Sequence, residues 1–195
     1  MIDPTAYVHP SAVLIGDVIV GPRRHVGPGA ATCSDFGRLI LEEGAHLQDT
    51  CLMHGFPEID TVVERDGHIR HGAVLHGCRV GPNALVGMNA VFMDDVMLGT
   101  DCILAAMMFI KAGSTIPPRS RVVGSPARIV CELRDEEIAW KKTGTKQYQN
   151  LMIRSLLTMQ EVEARTEVEP GRKRISDQAS SPMHKIKAHG NTKAK

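Results

Sequence analysis

Aliphatic residues recur every six positions along much of this 195-residue chain. One series runs from Val8 to Val26 and a longer one from Val80 to Val122. A helix repeats about every 3.6 residues and a strand about every two, so a sustained period of six fits neither as a continuous element. It predicts short flat edges that each turn one aliphatic side chain inward, with three edges closing a coil of about 18 residues.

This period predicts an all-β solenoid, a parallel β-helix, over residues 1–130. Interruptions at 34–37 and 56–67 shift the register and are predicted to be loops that project from the coil. Residues 131–165 have a helical pattern, which predicts a first short helix around Trp140, a break at 143–145 and a second helix packed on the flank of the coil. Residues 166–195 are predicted to be a disordered basic tail.

Composition limits the classes of partner and compartment. The 23 Lys and Arg residues nearly balance the 22 Asp and Glu residues, and no basic stripe lies in the repeat, so a nucleic-acid partner is not expected. The chain shows neither a signal peptide nor an apolar run of membrane-spanning length, so no membrane association is expected. The five cysteines contain no C-x-x-C pair, which favours free thiols in a reducing compartment and a cytoplasmic protein.

Three histidines, His54, His71 and His76, carry the chemistry of the repeat region. Imidazole is the commonest protein ligand for zinc, and three imidazoles leave a fourth position open for water. Met53 and Val74 are separated by one coil plus three residues, so His54 and His76 are predicted to lie on neighbouring coils near the same edge. His71 precedes His76 by nearly one full edge and is therefore predicted to lie around a corner from the other two.

This arrangement favours a metal site shared between subunits. One chain can hardly bring all three imidazoles to one ion, but a three-fold trimer allows His71 of one subunit to reach His54 and His76 of its neighbour. Five of the other six histidines are interpreted singly as surface or hydrogen-bonded residues: His9, His25, His68, His184 and His189.

A family resemblance is carried by the run QDTCLMHGFPEIDTVVERDGHIRHGAVLHGCRVGPNALVGMNAVFMDD, with SDFGRL before it and VGSPAR and AWKKTGTKQYQ after it. The chain resembles the γ-class carbonic anhydrase-like hexapeptide-repeat proteins from about Tyr7 to Arg174. Within this family it is most similar to the phenylacetic acid degradation branch of the PaaY type, with the carnitine-operon branch second. The GFPEIDT stretch favours the first branch and AAMMFIKAG the second.

The resemblance implies a homotrimer of left-handed β-helices with a metal ion at each subunit interface. By motif, His54 and His76 ligate from one subunit and His71 from its neighbour. The ion is expected to be Zn²⁺ or another divalent metal such as Fe²⁺ or Co²⁺, since three imidazoles accept each of them.

The resemblance also assigns roles around the ion. Gln48 matches a family residue that hydrogen-bonds the metal-bound solvent, while Asp35 and Asp49 match interface acids that orient their neighbours. Tyr148 matches a tyrosine near the pocket. The family has Arg-Gly where this chain has Cys33 and Ser34, which removes a charge that would pair across the interface.

The function implied by the resemblance is metal-dependent hydrolysis of an acyl-CoA thioester in phenylacetate catabolism, by hydroxide produced at the ion. The alternatives are a carnitine-operon accessory protein and a γ-type carbonic anhydrase. A hexapeptide acyltransferase is a further alternative, and it would use one histidine as a general base without metal.

Overall fold

Residues 1–173 are described in a computed structural model, in which short β-strands are followed by one helix, α1 (Asp135–Thr158). The first nine strands are β1 (Tyr7–Val8), β2 (Val13–Val20), β3 (His25–Val26), β4 (Ala31–Leu41), β5 (His46–Leu47), β6 (Leu52–His54), β7 (Thr61–Val63), β8 (His68–Ile69) and β9 (Val74–His76). The later strands are β10 (Arg79–Val80), β11 (Leu85–Val86), β12 (Val91–Phe92), β13 (Met97–Leu98), β14 (Ile103–Leu104), β15 (Phe109–Ile110), β16 (Thr115–Ile116), β17 (Ser120–Val123) and β18 (Arg128–Glu132).

The strands stack into two sheets that wrap around a common core. The eight-stranded sheet has the order β1-β3-β5-β8-β11-β14-β17-β18, and its last pair is antiparallel. The ten-stranded sheet has the order β15-β12-β9-β6-β4-β7-β10-β13-β16, with β2 paired to β4. One end of β4 pairs with β6 and the other with β7, so β4 turns a corner and this sheet covers two faces. The predicted parallel β-solenoid is confirmed.

The six-residue period builds the core. Val26, Leu47, Ile69 and Val86 stand in direct register on successive strands of the eight-stranded sheet, and each is fully buried. Each such side chain stabilises the fold by about 1.5–3 kcal/mol relative to an exposed position. The inward column therefore supplies the driving force for coiling, while the alternate positions of each strand face outward.

The helix break predicted at 143–145 is wrong, because α1 runs through Gly144 without interruption. Contacts on both sides of this glycine fix the helix to the coil. Lys141 Nζ donates to the Asp66 carbonyl at 2.6 Å and to Asn83 Oδ1 at 2.9 Å, while Gln149 Nε2 donates to Asp66 Oδ1 at 2.8 Å. This anchoring overrides the low helix propensity of glycine.

The two predicted loops differ from the prediction. Residues 34–37 lie inside β4, where the Ser34 hydroxyl donates to the Gly37 carbonyl at 2.6 Å as the strand turns its corner. The second interruption is irregular from Phe56 to Asp60, but it then contains strand β7. Both segments therefore continue the coil for part of their length.

The carboxyl end of the described chain leaves the solenoid. Residues 166–173 are exposed and irregular, and the rest of the predicted tail, 174–195, lies outside the described residues. Over residues 1–173, the structure contains no helix with the length and apolar character needed to cross a bilayer.

Candidate functional site

Two of the three predicted metal ligands lie side by side on the ten-stranded sheet. His54 ends β6 and His76 ends β9, and the two residues are direct partners in the parallel register. Their rings are stacked with centroids 4.9 Å apart and planes inclined by 6°. Met53 and Leu75, one position earlier on each strand, are fully buried. Alternation along the strands therefore turns both imidazoles away from the core.

A carboxylate orients one ring of this pair. His76 Nδ1 donates a hydrogen bond to Asp94 Oδ1. A carboxylate on Nδ1 fixes the tautomer and leaves Nε2 free to bind a metal or to accept a proton. His54 Nδ1 is buried and has no hydrogen-bond partner within residues 1–173. Asp94 was not among the predicted site residues, although it follows His76 by 18 residues, which is one coil.

The third predicted ligand belongs to a separate group at a corner of the coil. His71 Nδ1 lies 3.1 Å from Asp49 Oδ2, and the His71 backbone N–H donates to Gln48 Oε1 at 3.3 Å. Gln48 is buried, and its Nε2 donates to His68 Nε2 at 2.8 Å. In the described part of one chain, the histidine trio does not gather into one three-ligand cluster.

A different cluster of ligand-type atoms surrounds His54. Cys33 is the register partner of His54 on β4, and its Sγ donates to Asp35 Oδ2 at 2.6 Å. This hydrogen bond raises the pKa of the Cys33 thiol. Ligand atoms of Cys33, Asp35 and His54 all lie within 4.8 Å of one another. From the sequence, Cys33 stands only for the loss of an arginine charge. The register break at 34–37 marks the bend in β4, but it does not indicate that Cys33, Asp35 and His54 meet there.

Tyr148 lies on the other side of the coil, where α1 covers the eight-stranded sheet. Its ring stands edge-on to His46 and His68, at centroid distances of 5.0 and 4.5 Å. The carbonyl of Tyr148 accepts a hydrogen bond from His46 Nε2 at 3.2 Å. Tyr148 therefore packs the helix against the coil, and its role near a pocket stays a prediction.

The eight-stranded sheet also carries a histidine ladder formed by Tyr7, His25, His46 and His68. Their rings stack on successive coils, with centroids 5.2, 4.3 and 5.3 Å apart. Burial lowers the pKa of His25 to about 4 and that of His46 to about 3, and it lowers the pKa of His68 well below its ordinary value. These three imidazoles are therefore neutral at pH 7.

The prediction that His25 and His68 are surface or hydrogen-bonded residues holds for His68, which is hydrogen-bonded to Gln48, but neither residue lies at the surface, because both are buried in this ladder. A signal was available, because each histidine of the ladder immediately precedes an inward aliphatic residue on successive coils.

Comparisons with known proteins place the chain among hexapeptide-repeat proteins, although no family model matches it. It is 53% identical over 175 residues to the carnitine operon protein CaiE of Salmonella agona, covering 90% of this chain and 88% of the relative. The CaiE protein of Salmonella newport is 52% identical over the same lengths.

Solved structures share the solenoid. A hexapeptide transferase family protein from Anaplasma phagocytophilum has 29% identity and a TM-score of 0.74, covering 78% of this chain and 90% of that chain. A putative acetyltransferase from Bacillus cereus has 24% identity and a TM-score of 0.62, and the match covers 77% of this chain and 92% of that chain. The similarity to the Bacillus cereus protein shows a shared fold and nothing about function.

Proposed function

The chain belongs to the family of the carnitine operon protein CaiE, and from this premise we propose that it serves carnitine metabolism by metal-dependent hydrolysis of an acyl-CoA thioester. The observation that carries the proposal is the stacked pair of His54 and His76, with Asp94 bound to one ring. The family identity supports the metabolic setting, and the pair supports the chemistry.

The two imidazoles suit a divalent cation. They lie on adjacent strands, and the Asp94 carboxylate holds His76 in the tautomer whose Nε2 is free. Zn²⁺ accepts such nitrogen ligands, as do Fe²⁺ and Co²⁺. A bound divalent ion would supply a water molecule with a pKa of about 7 and would polarise a carbonyl oxygen.

The third ligand in this proposal is His71 of a neighbouring subunit in a homotrimer. Within its own chain, His71 is half exposed at the corner after β8, and Asp49 occupies its Nδ1 at 3.1 Å. The carboxylate therefore orients the His71 ring and leaves its Nε2 free, as Asp94 does for His76. A closed three-fold ring would place this corner of each subunit beside the His54 and His76 pair of the next.

The chain's own residues position these groups. Gln48 accepts a hydrogen bond from the His71 backbone and donates to His68, so it links the corner to the buried ladder. We assign Gln48 the positioning of the His71 turn. Its predicted contact with solvent at the ion would require the side-chain amide to exchange one of these partners.

In the net reaction, the oxygen of water bonds to the acyl carbon and the thioester C–S bond breaks, which releases a carboxylic acid and the free thiol of coenzyme A. The CaiE relatives favour the carnitine branch for the acyl group, and the phenylacetate branch suggested by GFPEIDT stays a prediction. The test measures thiol release from acyl-CoA substrates with trimethylammonium-bearing, aromatic or simple aliphatic acyl groups, with and without a chelator.

We expect hydrolysis of the trimethylammonium-bearing substrate, its loss with the chelator and its return with Zn²⁺. The same preparations of wild type and His71→Ala are analysed for metal content and size. A trimer with about one ion per chain, lost in the variant, supports the proposal. A metal-free and inert trimer would overturn it in favour of an accessory role.

The second candidate is acyl transfer, and the hydrogen bond between His76 and Asp94 is the observation that favours it. A carboxylate-oriented imidazole is a suitable general base for an acceptor hydroxyl or amine. The Anaplasma relative carries the transferase family name. Thiol release that requires an added acceptor and is indifferent to the chelator would identify this activity.

A further inference from the structure

The bend in β4 brings a thiol and a carboxylate to the imidazole of His54. Cys33, at the start of the bend, pairs in register with His54 of β6, which pairs in turn with His76 of β9. Asp35 lies two residues after Cys33, within the bend itself. Sulfur, oxygen and nitrogen ligand atoms therefore converge at one point from two adjacent coils of a single chain.

The distances suit one ion. Ligand atoms of Cys33, Asp35 and His54 lie within 4.8 Å of one another, and the thiol is already hydrogen-bonded to the carboxylate. Zn²⁺ binds cysteine sulfur at about 2.3 Å and histidine nitrogen or carboxylate oxygen at about 2.0–2.2 Å, so modest side-chain rotations would bring all three atoms into its shell. The thiol proton leaves when the metal binds.

An independent observation concerns the same imidazole. His54 Nδ1 is buried and has no hydrogen-bond partner in residues 1–173. Buried polar atoms are normally hydrogen-bonded, so this nitrogen is an exception. The ring centroid of Phe36 lies 6.2 Å from that of His54, with the planes inclined by 50°. A metal ion bound at Nδ1 would satisfy this nitrogen, which is otherwise costly to bury.

We propose that Cys33, Asp35 and His54 form a thiolate-containing Zn²⁺ site within one chain. The site shares His54 with the all-imidazole centre of the proposed function, but it takes no ligand from a second subunit and does not require His71. Its preference for a thiophilic divalent cation distinguishes it from the three-imidazole set, because sulfur ligands favour Zn²⁺ over harder ions.

The test titrates the full-length, metal-free protein with Co²⁺ and follows its absorption. Cobalt bound by thiolate shows a sulfur-to-metal charge-transfer band in the near ultraviolet, whereas cobalt bound by imidazole alone shows only weaker visible bands. The variants are Cys33→Ser and Cys33→Ala, with Cys131→Ala as the control because Cys131 is an exposed thiol elsewhere on the chain. Asp35→Asn and His71→Ala complete the set.

The proposal expects one charge-transfer band per chain that is lost in both Cys33 variants and kept in Cys131→Ala and His71→Ala. Asp35→Asn weakens Co²⁺ binding about 10-fold or more. Circular dichroism of each variant confirms that the fold is kept. Visible bands without the charge-transfer band, or a band that survives Cys33→Ala, would overturn this site and leave the three-imidazole centre intact. Absence of any Co²⁺ binding would overturn both.

Discussion

His54 and His76 stand in direct parallel register, with ring centroids 4.9 Å apart and planes inclined by 6°. This separation matches the spacing of about 4.7–4.9 Å between neighbouring β-strands, so the backbone ladder itself sets the distance between the rings. A pair positioned in this way loses little freedom when it binds a ligand, because its geometry is already present in the fold.

The orientation of His76 predicts a loss of metal affinity in Asp94→Asn. The amide removes the charge that holds Nδ1–H and weakens the basicity of Nε2, so we expect Zn²⁺ affinity to fall about 10–100-fold. Competition titration against a chromophoric chelator measures this change. Asp95→Asn is the matched control, since the neighbouring Asp95 is exposed and the carboxylate that binds His76 is that of Asp94. Equal affinities in both variants would contradict the orienting role.

The proposed site between two subunits predicts complementation between two inactive variants. His71→Ala and His54→Ala each lose one side of every site, so neither homotrimer should hydrolyse the thioester. When the two are unfolded together and refolded at equal amounts, about three in four trimers are mixed, and each mixed trimer has one intact site of three.

Recovery of about a quarter of wild-type activity is therefore expected in the mixture. The measurement is thiol release before and after co-refolding, with each variant refolded alone as its control. Activity that stays at the level of the separate variants would argue against a site built from two subunits.

Much of this site could be predicted from the sequence because the coil is periodic. The spacing between Met53 and Val74 places His54 and His76 on neighbouring coils, and the short distance to His71 places that residue around a corner. The cluster of Cys33 with Asp35 could not be predicted in the same way. The break of the period at 34–37 is visible in the sequence, but the period does not show that the strand continues through a bend and brings the thiol and the carboxylate to His54.

The histidine ladder predicts a specific loss of stability in acid. In the folded state the pKa of His25 is about 4 and that of His46 about 3, whereas an unfolded histidine has a pKa of about 6.5. Between these values the unfolded chain binds more protons, so the free energy of unfolding rises with pH up to about 6.5. The slope approaches about 1.4 kcal/mol per pH unit for each histidine.

Chemical denaturation at pH 4.5 to 7.5, a range of about three units chosen to bracket this window, measures the slope. His25→Phe keeps an aromatic ring in the stack but removes one protonation site, so we expect a shallower slope. Tyr7→Phe is the control, because it alters the neighbouring ring without removing a group that titrates in acid; burial raises the pKa of Tyr7. An unchanged slope in His25→Phe would mean that the ladder does not govern acid sensitivity.

Lys141 predicts a second pH dependence, in alkaline solution. Burial lowers its pKa to about 7 from an ordinary value of 10.5, so between these values the unfolded chain binds more protons and stability rises with pH. This rise in the free energy of unfolding approaches about 1.4 kcal/mol per pH unit, and Lys141→Met should remove it. The control is Lys142→Met, which should keep the rise because Lys142 is exposed. Denaturation midpoints at pH 7.5 and 9.5, about two units apart, provide the comparison.

Gly144 is the reason why two helices are predicted from the sequence where the structure has one. The same glycine also gives a prediction about stability. A Thr-Gly-Thr run is a reasonable helix break when judged locally, but Lys141 and Gln149 bind the coil on either side of it. The glycine is helical, and a Cβ atom added there meets nothing within 4 Å. Gly144→Ala should therefore stabilise the protein by about 0.5–1 kcal/mol.

Gly113→Ala is the matched comparison for that substitution. A Cβ at Gly113 also meets nothing within 4 Å, but its φ of +70° lies in the left-handed region that alanine rarely adopts. Because an added Cβ meets no atoms at either position, backbone conformation alone decides whether the substitution raises or lowers the free energy of unfolding. Gly113→Ala should destabilise the protein by about 1 kcal/mol or more. Denaturant titration of both variants checks the pair. Destabilisation of similar size at both positions would indicate that Gly144 is strained in the helix and that the break predicted from the sequence has a physical basis.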